Sequence, residues 1–212
     1  MLDTNAKRVM ILAPHTDDGE FGCGATIARL IEQGADVYYT AFSVCEQSVP
    51  YGFKEDELQR ELENATRVMG IPRDHVLIHR YEVRRFPLHR QEILQDIIDT
   101  KREVEPDLIF MPCLGDIHQD HQVVAMEGLR AYKGKTILAY EMPWNNLTIH
   151  TSTFVRLDER HVDVKIAALG CYKTQTFRHY ANPEFIRSLA ITRGAQIGAP
   201  FAEVFELVRL VV

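Results

Sequence analysis

His15, Asp17 and Asp18 stand close together in the segment Ala13-Pro14-His15-Thr16-Asp17-Asp18-Gly19-Glu20. Far along the chain, His118, Asp120 and His121 do the same in Gly115-Asp116-Ile117-His118-Gln119-Asp120-His121. Imidazole nitrogens and carboxylate oxygens are ligands for divalent transition metals. A hydrolytic metal site needs three protein ligands, an open position for water and a separate base. The two segments hold groups for every one of these roles. His15 and Asp18 can be aimed at one cation by a single tight turn. His121 then completes a set of two imidazoles and one carboxylate, suited to one zinc ion per chain. Asp17 projects differently from Asp18, toward bound water, where a positioned carboxylate can take the proton as attack begins. His118 is placed to hydrogen-bond a developing oxyanion or to protonate a leaving amine. Asp120 is read as orienting His118 by accepting from its other ring nitrogen. Alone, an Asp-Asp pair after a strand caps a helix more often than it binds metal, and an H-x-x-H pair is usually a solvated surface pair. Their joint occurrence carries the metal reading.

Both segments follow apolar runs, at 8–13 and 107–111, which read as strands covered on both faces. Ligands of open α/β sheets bind beyond the carboxyl ends of the strands, so both clusters fall on that edge. Further strands are predicted at 36–44, 76–78, 136–140 and 202–212. Helices are predicted at 21–33, 54–69, 89–104, from near 121, around 160–172 and at 183–196. Strands alternating with helices predict a three-layer αβα, Rossmann-like fold with a mostly parallel sheet, in one domain spanning 1–212. The connections 45–53, 79–88, 112–120 and 141–152 are candidates for a substrate rim. They offer Tyr51, Phe53, Arg84, Arg85, Trp144 and Asn145.

With 212 residues, 46% of them hydrophobic, the chain can bury the core of one compact domain. A net charge of −6 without a basic stripe argues against nucleic acid or an anionic membrane as partner. No apolar stretch approaches the roughly 20 residues of a membrane span, and the short polar stretch 1–7 does not read as a secretory signal. A cytoplasmic protein is the expectation. Cys23, Cys45, Cys113 and Cys171 show no C-x-x-C spacing and read as packed residues, not as a zinc-thiolate site or disulfide framework. Gly22-Cys23-Gly24 matches only part of a dinucleotide fingerprint. Ile27 takes the third glycine's place, and the carboxylates before it would repel a pyrophosphate. These glycines are read as allowing helix and sheet to pack closely.

On these motifs the sequence resembles the PIG-L/LmbE family of zinc-dependent deacetylases, which act on N-acetylglucosamine-containing molecules. The resemblance extends through Gly-Cys-Gly-Ala-Thr-Ile after the first cluster, Arg60-Glu61 and Ala65 to Ile71. It continues through Pro106-Asp107-Leu108-Ile109 and Arg193-Gly194-Ala195-Gln196 to Ala202-Glu203-Val204-Phe205. It implies zinc on His15, Asp18 and His121, Asp17 as general base, His118 near the oxyanion and Asp120 as its partner. It also implies Arg60 as a sugar contact, Glu20 near the sugar or the site entrance, and an N-acetylated amino-sugar conjugate as substrate. Related enzymes often assemble, which leaves a homo-oligomer open. Thr16 and Gln119 replace prolines usual in the two motifs, and Gly19 separates the aspartates from Glu20. Asp116 stands where some relatives carry an oxyanion-binding tyrosine, a part for which Tyr180 is the substitute within this chain. The rival readings are an amidase for a non-sugar molecule, a phosphoesterase, and a metal-dependent binding protein without catalysis.

Overall fold

A computed structural model describes residues 7–211. Its strands are β1 (Arg8–Ala13), β2 (Asp36–Ala41), β3 (Val76–Ile78), β4 (Leu108–Pro112), β5 (Thr136–Tyr140), β6 (Thr153–Leu157) and β7 (Phe201–Arg209). The helices are α1 (Asp18–Glu32), α2 (Glu57–Met69), α3 (Arg90–Val104), α4 (Gln119–Ala131), α5 (Glu159–Leu169) and α6 (Pro183–Ala195). They form one sheet in the order β3-β2-β1-β4-β5-β7-β6. β1 to β5 run parallel, and β7 is antiparallel to both β5 and β6.

Alternate residues of β1 feed two separate cores, which is why its sequence is a continuous apolar run. Val9, Ile11 and Ala13 pack with Leu62 of α2, Ile27 of α1, Ala168 of α5 and Ile186 of α6. Met10 and Leu12 pack with Ile93 of α3 and Val124 of α4 on the opposite face. This is the anticipated three-layer αβα arrangement. Strand order reverses between β1 and β4, and the cleft beyond the carboxyl ends of such a pair is where open α/β sheets bind ligands. The His15 and His118 segments leave these two strands.

The structure adds β6, which the sequence reading left unassigned. It is a half-buried edge strand with Arg156 exposed, so no continuous apolar run marks it. The predicted C-terminal strand ends at Arg209, and most of the polar stretch 1–7, with Val212, lies outside the described residues. No helix among the described residues is long and apolar enough to cross a membrane.

α1 starts three residues before the predicted position 21, because Asp18, Gly19 and Glu20 carry no apolar periodicity. It is also broken. Cys23 has φ −147° and ψ 21°, outside the helical region. The backbone groups freed by the break are held by a buried ion pair. Lys165 Nζ donates to the Phe21 carbonyl at 2.6 Å, and the Ala25 and Thr26 N–H groups donate to the Glu203 carboxylate at 3.2 and 2.7 Å. Lys165 and Glu203 meet at 2.7 Å. Gly22 lies so close to β5 that an added Cβ would sit 2.3 Å from the Tyr140 ring, which is the close packing expected of these glycines.

Candidate metal centre

Pro14 and His15 carry the chain off β1, and the His15 backbone N–H donates to Asp18 Oδ2 at 2.8 Å, closing the turn that starts α1. That turn sets His15 Nδ1 3.1 Å from Asp18 Oδ2. His121, in the first turn of α4, brings Nε2 to 3.2 Å from Asp18 Oδ2 and 3.2 Å from His15 Nδ1. Three ligand atoms from two distant segments thus form a nearly equilateral triangle. Ligands about 2.1 Å from a common ion stand roughly 3.0 to 3.4 Å apart, from octahedral to tetrahedral geometry, so the triangle has the dimensions of a metal face.

The outer nitrogen of each ring is held by a second carboxylate. His15 Nε2 lies 3.1 Å from Asp120 Oδ2, and His121 Nδ1 lies 2.8 Å from Asp116 Oδ2. Such partners fix which nitrogen faces the metal and raise the basicity of the ring. Burial opposes charge on His15, yet the Asp18 carboxylate and the Asp120 bond outweigh it and raise the ring to about 8. The same contest, won by Asp18 and Asp116, raises His121 to about 10. Burial pushes Asp18 up, but the two imidazoles hold it well below the usual carboxylate range. The cluster draws positive charge to its centre, as a cation site must.

Two further groups flank the triangle. Asp17 occupies the N-cap position of α1 but makes no side-chain capping bond, and it lines the cavity above the cluster. Burial, and then the Asp18 charge, raise its carboxyl to about 6. His118 caps α4, its Nδ1 accepting from the Asp120 N–H at 3.2 Å. An imidazole accepting at Nδ1 carries its proton on Nε2 when neutral. Burial and the neighbouring rings of His15 and His121 keep it neutral, lowering it to about 4. The three imidazoles together also place one nitrogen each within 4.8 Å of one another. The triangle completed by Asp18 is tighter and has every outer atom tethered. The cavity measures about 360 Å³ and is also lined by Arg84, Trp144, Asn145, Gln175, Arg178 and Tyr180.

The profile of the PIG-L family, described as GlcNAc-PI de-N-acetylase, matches residues 10–132, from β1 to the end of α4. The chain belongs to the PIG-L family. It is therefore an amide-hydrolysing enzyme of the deacetylase type. Escherichia coli YaiS, described as an uncharacterized deacetylase, is 29% identical over 175 residues, covering 79% of this chain and 91% of that protein. Diacetylchitobiose deacetylase of Thermococcus kodakarensis is 28% identical over 135 residues, covering 60% of this chain and 49% of that one. The structure of N,N'-diacetylchitobiose deacetylase from Pyrococcus horikoshii shares the fold with a TM-score of 0.82. It is 21% identical, over 98% of this chain and 87% of that one.

Against the PIG-L resemblance, three residues need correction. Asp120 does not accept from a ring nitrogen of His118. Its carboxylate faces His15 and takes the backbone N–H groups of Arg84 at 2.5 Å and Phe86 at 3.3 Å, because α4 turns it toward the loop after β3. Glu20 does not reach the entrance. It is fully buried, 2.5 Å from the Tyr39 hydroxyl and 2.9 Å from that of Tyr172. Both hydroxyls also lie within hydrogen-bond reach of the Thr16 carbonyl, and burial raises Glu20 to about 8. Glu20 thus braces the turn that carries the aspartates. Arg60 does not line the cavity; it lies exposed on α2, 2.6 Å from Asp56 one helical turn away. Tyr180 does line it, stacked on Trp144 with ring centroids 3.7 Å apart and its hydroxyl accepting from Arg178 at 2.7 Å. Among the rim residues, Arg84, Trp144 and Asn145 line the cavity, whereas Tyr51 and Phe53 are exposed outside it.

Sequence reasoning missed Asp116, Gln175 and Arg178. Asp116 had a signal, a second carboxylate within the second cluster. Gln175 and Arg178 sit in a stretch with no motif or periodicity.

Proposed function

We propose that this protein removes the N-acetyl group from an N-acetylglucosamine-type sugar conjugate, using one zinc ion held by His15, Asp18 and His121. The triangle of ligand atoms, with the uncapped Asp17 carboxylate beside it, carries this reading. The de-N-acetylase description of the family and the diacetylchitobiose deacetylase relatives support the substrate class.

When bound, the ion would bring the pKa of a water to about 7 and draw charge from the amide carbonyl. The protein's own residues do the rest. Asp17, with a carboxyl raised to about 6, accepts the proton of the attacking water. His118, with Nδ1 engaged by the Asp120 N–H, presents Nε2–H to the carbonyl oxygen as it gains negative charge. One such donor contributes about 3 to 4 kcal/mol in other hydrolases. Asp17 then passes its proton to the departing amine. Asp116 and Asp120 keep the two imidazoles from rotating, and the Trp144–Tyr180 stack gives the sugar ring a flat wall.

The described residues offer one group of candidate metal ligands, around His15, His118 and His121, which favours this single-ion hydrolysis over a two-metal phosphoesterase. The test is acetate release from a panel of N-acetyl sugars, followed by mass spectrometry, with chelated and zinc-reloaded protein. Deacetylation restored at one zinc per chain is expected. Full activity after complete chelation, or hydrolysis of N-acetyl compounds only when they lack a sugar, would remove the proposal.

A further inference from the structure

We propose that Glu61 is a positioning residue for the Trp144–Tyr180 wall of the cavity. From α2 it anchors the segment between α5 and α6, and it acts on the wall through Thr174, Gln175 and Arg178. What this does to turnover rests on the deacetylase reading above, in which that wall faces the sugar.

Of the pair Arg60-Glu61, the arginine lies in solvent, whereas Glu61 is 3% exposed. A buried carboxylate has to be paired or well hydrogen-bonded, and Glu61 forms no salt bridge among the described residues. Its two oxygens instead take both donors of one residue, the Thr174 N–H at 3.0 Å and the Thr174 hydroxyl at 2.5 Å. The Thr174 oxygen in turn accepts from Gln175 Nε2 at 3.1 Å. Gln175 Oε1 accepts from Arg178 Nε at 2.5 Å, and Arg178 Nη1 donates to the Tyr180 hydroxyl at 2.7 Å. An anion on α2 and a cation at the cavity are thus joined through two buried neutral side chains, with each donor along the link pointing toward the anion. Hydrogen bonds aligned head to tail polarise one another and strengthen.

The chain of bonds ends where the site has its flat surface. Tyr180 and Trp144 stack with centroids 3.7 Å apart and planes at 7°. Phe21 sets its ring nearly perpendicular to both, 5.5 Å from Tyr180 and 5.2 Å from Trp144. Phe21 lies one turn along α1 from Asp18, so the wall adjoins the metal cluster. Gln175, Arg178, Tyr180 and Trp144 line the cavity, and Glu61 and Thr174 stand behind them. Between α5 and α6 the chain forms one short turn, Lys173–Gln175. A stretch with so little backbone structure takes its position from side-chain contacts, and Glu61 supplies one from a neighbouring helix, out of reach of water.

Trp144 is the only tryptophan of the chain, so its fluorescence reports on the wall without an assay of turnover. Glu61→Ala is expected to move the emission to longer wavelength and to increase its quenching by acrylamide. In the zinc-loaded enzyme, KM for N,N'-diacetylchitobiose should rise about tenfold while kcat stays within about twofold, the pattern of lost uniform binding. Glu61→Gln can still accept from the Thr174 N–H and should restore most of both signals. Thr174→Val spares that backbone bond and should reproduce part of them. Adding Gln175→Met to Glu61→Ala should change little more than either does alone, as links of one chain behave. Unchanged emission and KM in Glu61→Ala, or in Thr174→Val should the first variant not fold, overturn the proposal and leave Glu61 as a plain fastener. Additive effects of Glu61→Ala and Gln175→Met overturn it as well. A parent enzyme that deacetylates no sugar overturns the deacetylase reading alone, and the emission and its coupling then decide what Glu61 positions.

Discussion

Helix α1 touches two buried clusters of opposite charge, and they are built to different ends. At its first turn, Asp18 meets His15 and His121 so that three ligand atoms face one another at 3.1 to 3.2 Å. At its break, Lys165 and Glu203 meet at 2.7 Å, and their remaining polar atoms take the Phe21 carbonyl and the N–H groups of Ala25 and Thr26. The second cluster is closed, because its acceptors and donors are matched within the protein. The first has its outer atoms matched, to Asp116 and Asp120, while its inner atoms, His15 Nδ1, Asp18 Oδ2 and His121 Nε2, have one another as side-chain partners. Such donor atoms, tethered from outside and facing one another, make up the cation site we propose. A closed cluster is a fastener, and the contrast is testable.

The largest effects should come from opening the first cluster. His121→Ala is expected to abolish stoichiometric zinc binding, measured by elemental analysis, and to reduce acetate release at least a thousandfold. Asp17→Asn should keep its zinc and still lose a hundred- to ten-thousandfold in kcat, the range of a general base. Zinc retained in full by His121→Ala, or near-normal turnover by Asp17→Asn, breaks the assignment of ligand and base.

Opening the closed cluster should instead damage stability. Lys165→Met leaves Glu203 buried without its counter-charge, which costs about 3 to 5 kcal/mol, read as a lower midpoint in denaturant unfolding of the chelated protein. Replacing both partners by methionine should recover part of that loss, since a well-packed apolar pair can match a buried ion pair. The Glu203 bonds to the broken helix are not replaced, so recovery should stay incomplete. A single variant as stable as the parent would mean that the pair fastens nothing.

Between these extremes stands Asp116, which belongs to the tether of the first cluster. Asp116→Asn keeps a hydrogen-bond acceptor for His121 Nδ1 but removes the charge, and should weaken zinc 10- to 100-fold. Competition with a chromogenic chelator measures this directly. Unchanged affinity would show that the outer carboxylate is not needed to hold the ring.

The legibility of these regions in the sequence follows from how each is built. β1 and β4 were readable because both of their faces are buried and apolar, and the two clusters were readable because each follows its strand at short spacing. The turn of Asp120 toward His15 was not, since side-chain direction on α4 depends on the loop after β3, distant in sequence. Glu20 was misplaced because a carboxylate in a polar motif gives no sign of the tyrosines, Tyr39 and Tyr172, that come from β2 and the segment after α5. The fastener was equally hidden, since Lys165 and Glu203 read as ordinary charges of a helix and a strand until packing brings them beneath the break.

The smallest effect belongs to a pair that is neither part of the proposed cation site nor closed. Arg60 lies in water beside Asp56 and Glu57, its side chain 48% exposed. Exposed pairs one helical turn apart contribute about 0.3 to 0.5 kcal/mol, so Arg60→Ala should lower stability by no more than that. Because the side chain does not line the cavity, KM for an N-acetyl sugar should stay within twofold of the parent. The family resemblance pointed the other way, toward a sugar contact, so steady-state kinetics of this one variant weighs motif against geometry. A tenfold rise in KM would mean that α2 swings inward when substrate binds, bringing a charge that now pairs in solvent into the site. A null result would leave substrate recognition with the loops that carry Arg84 and Arg178.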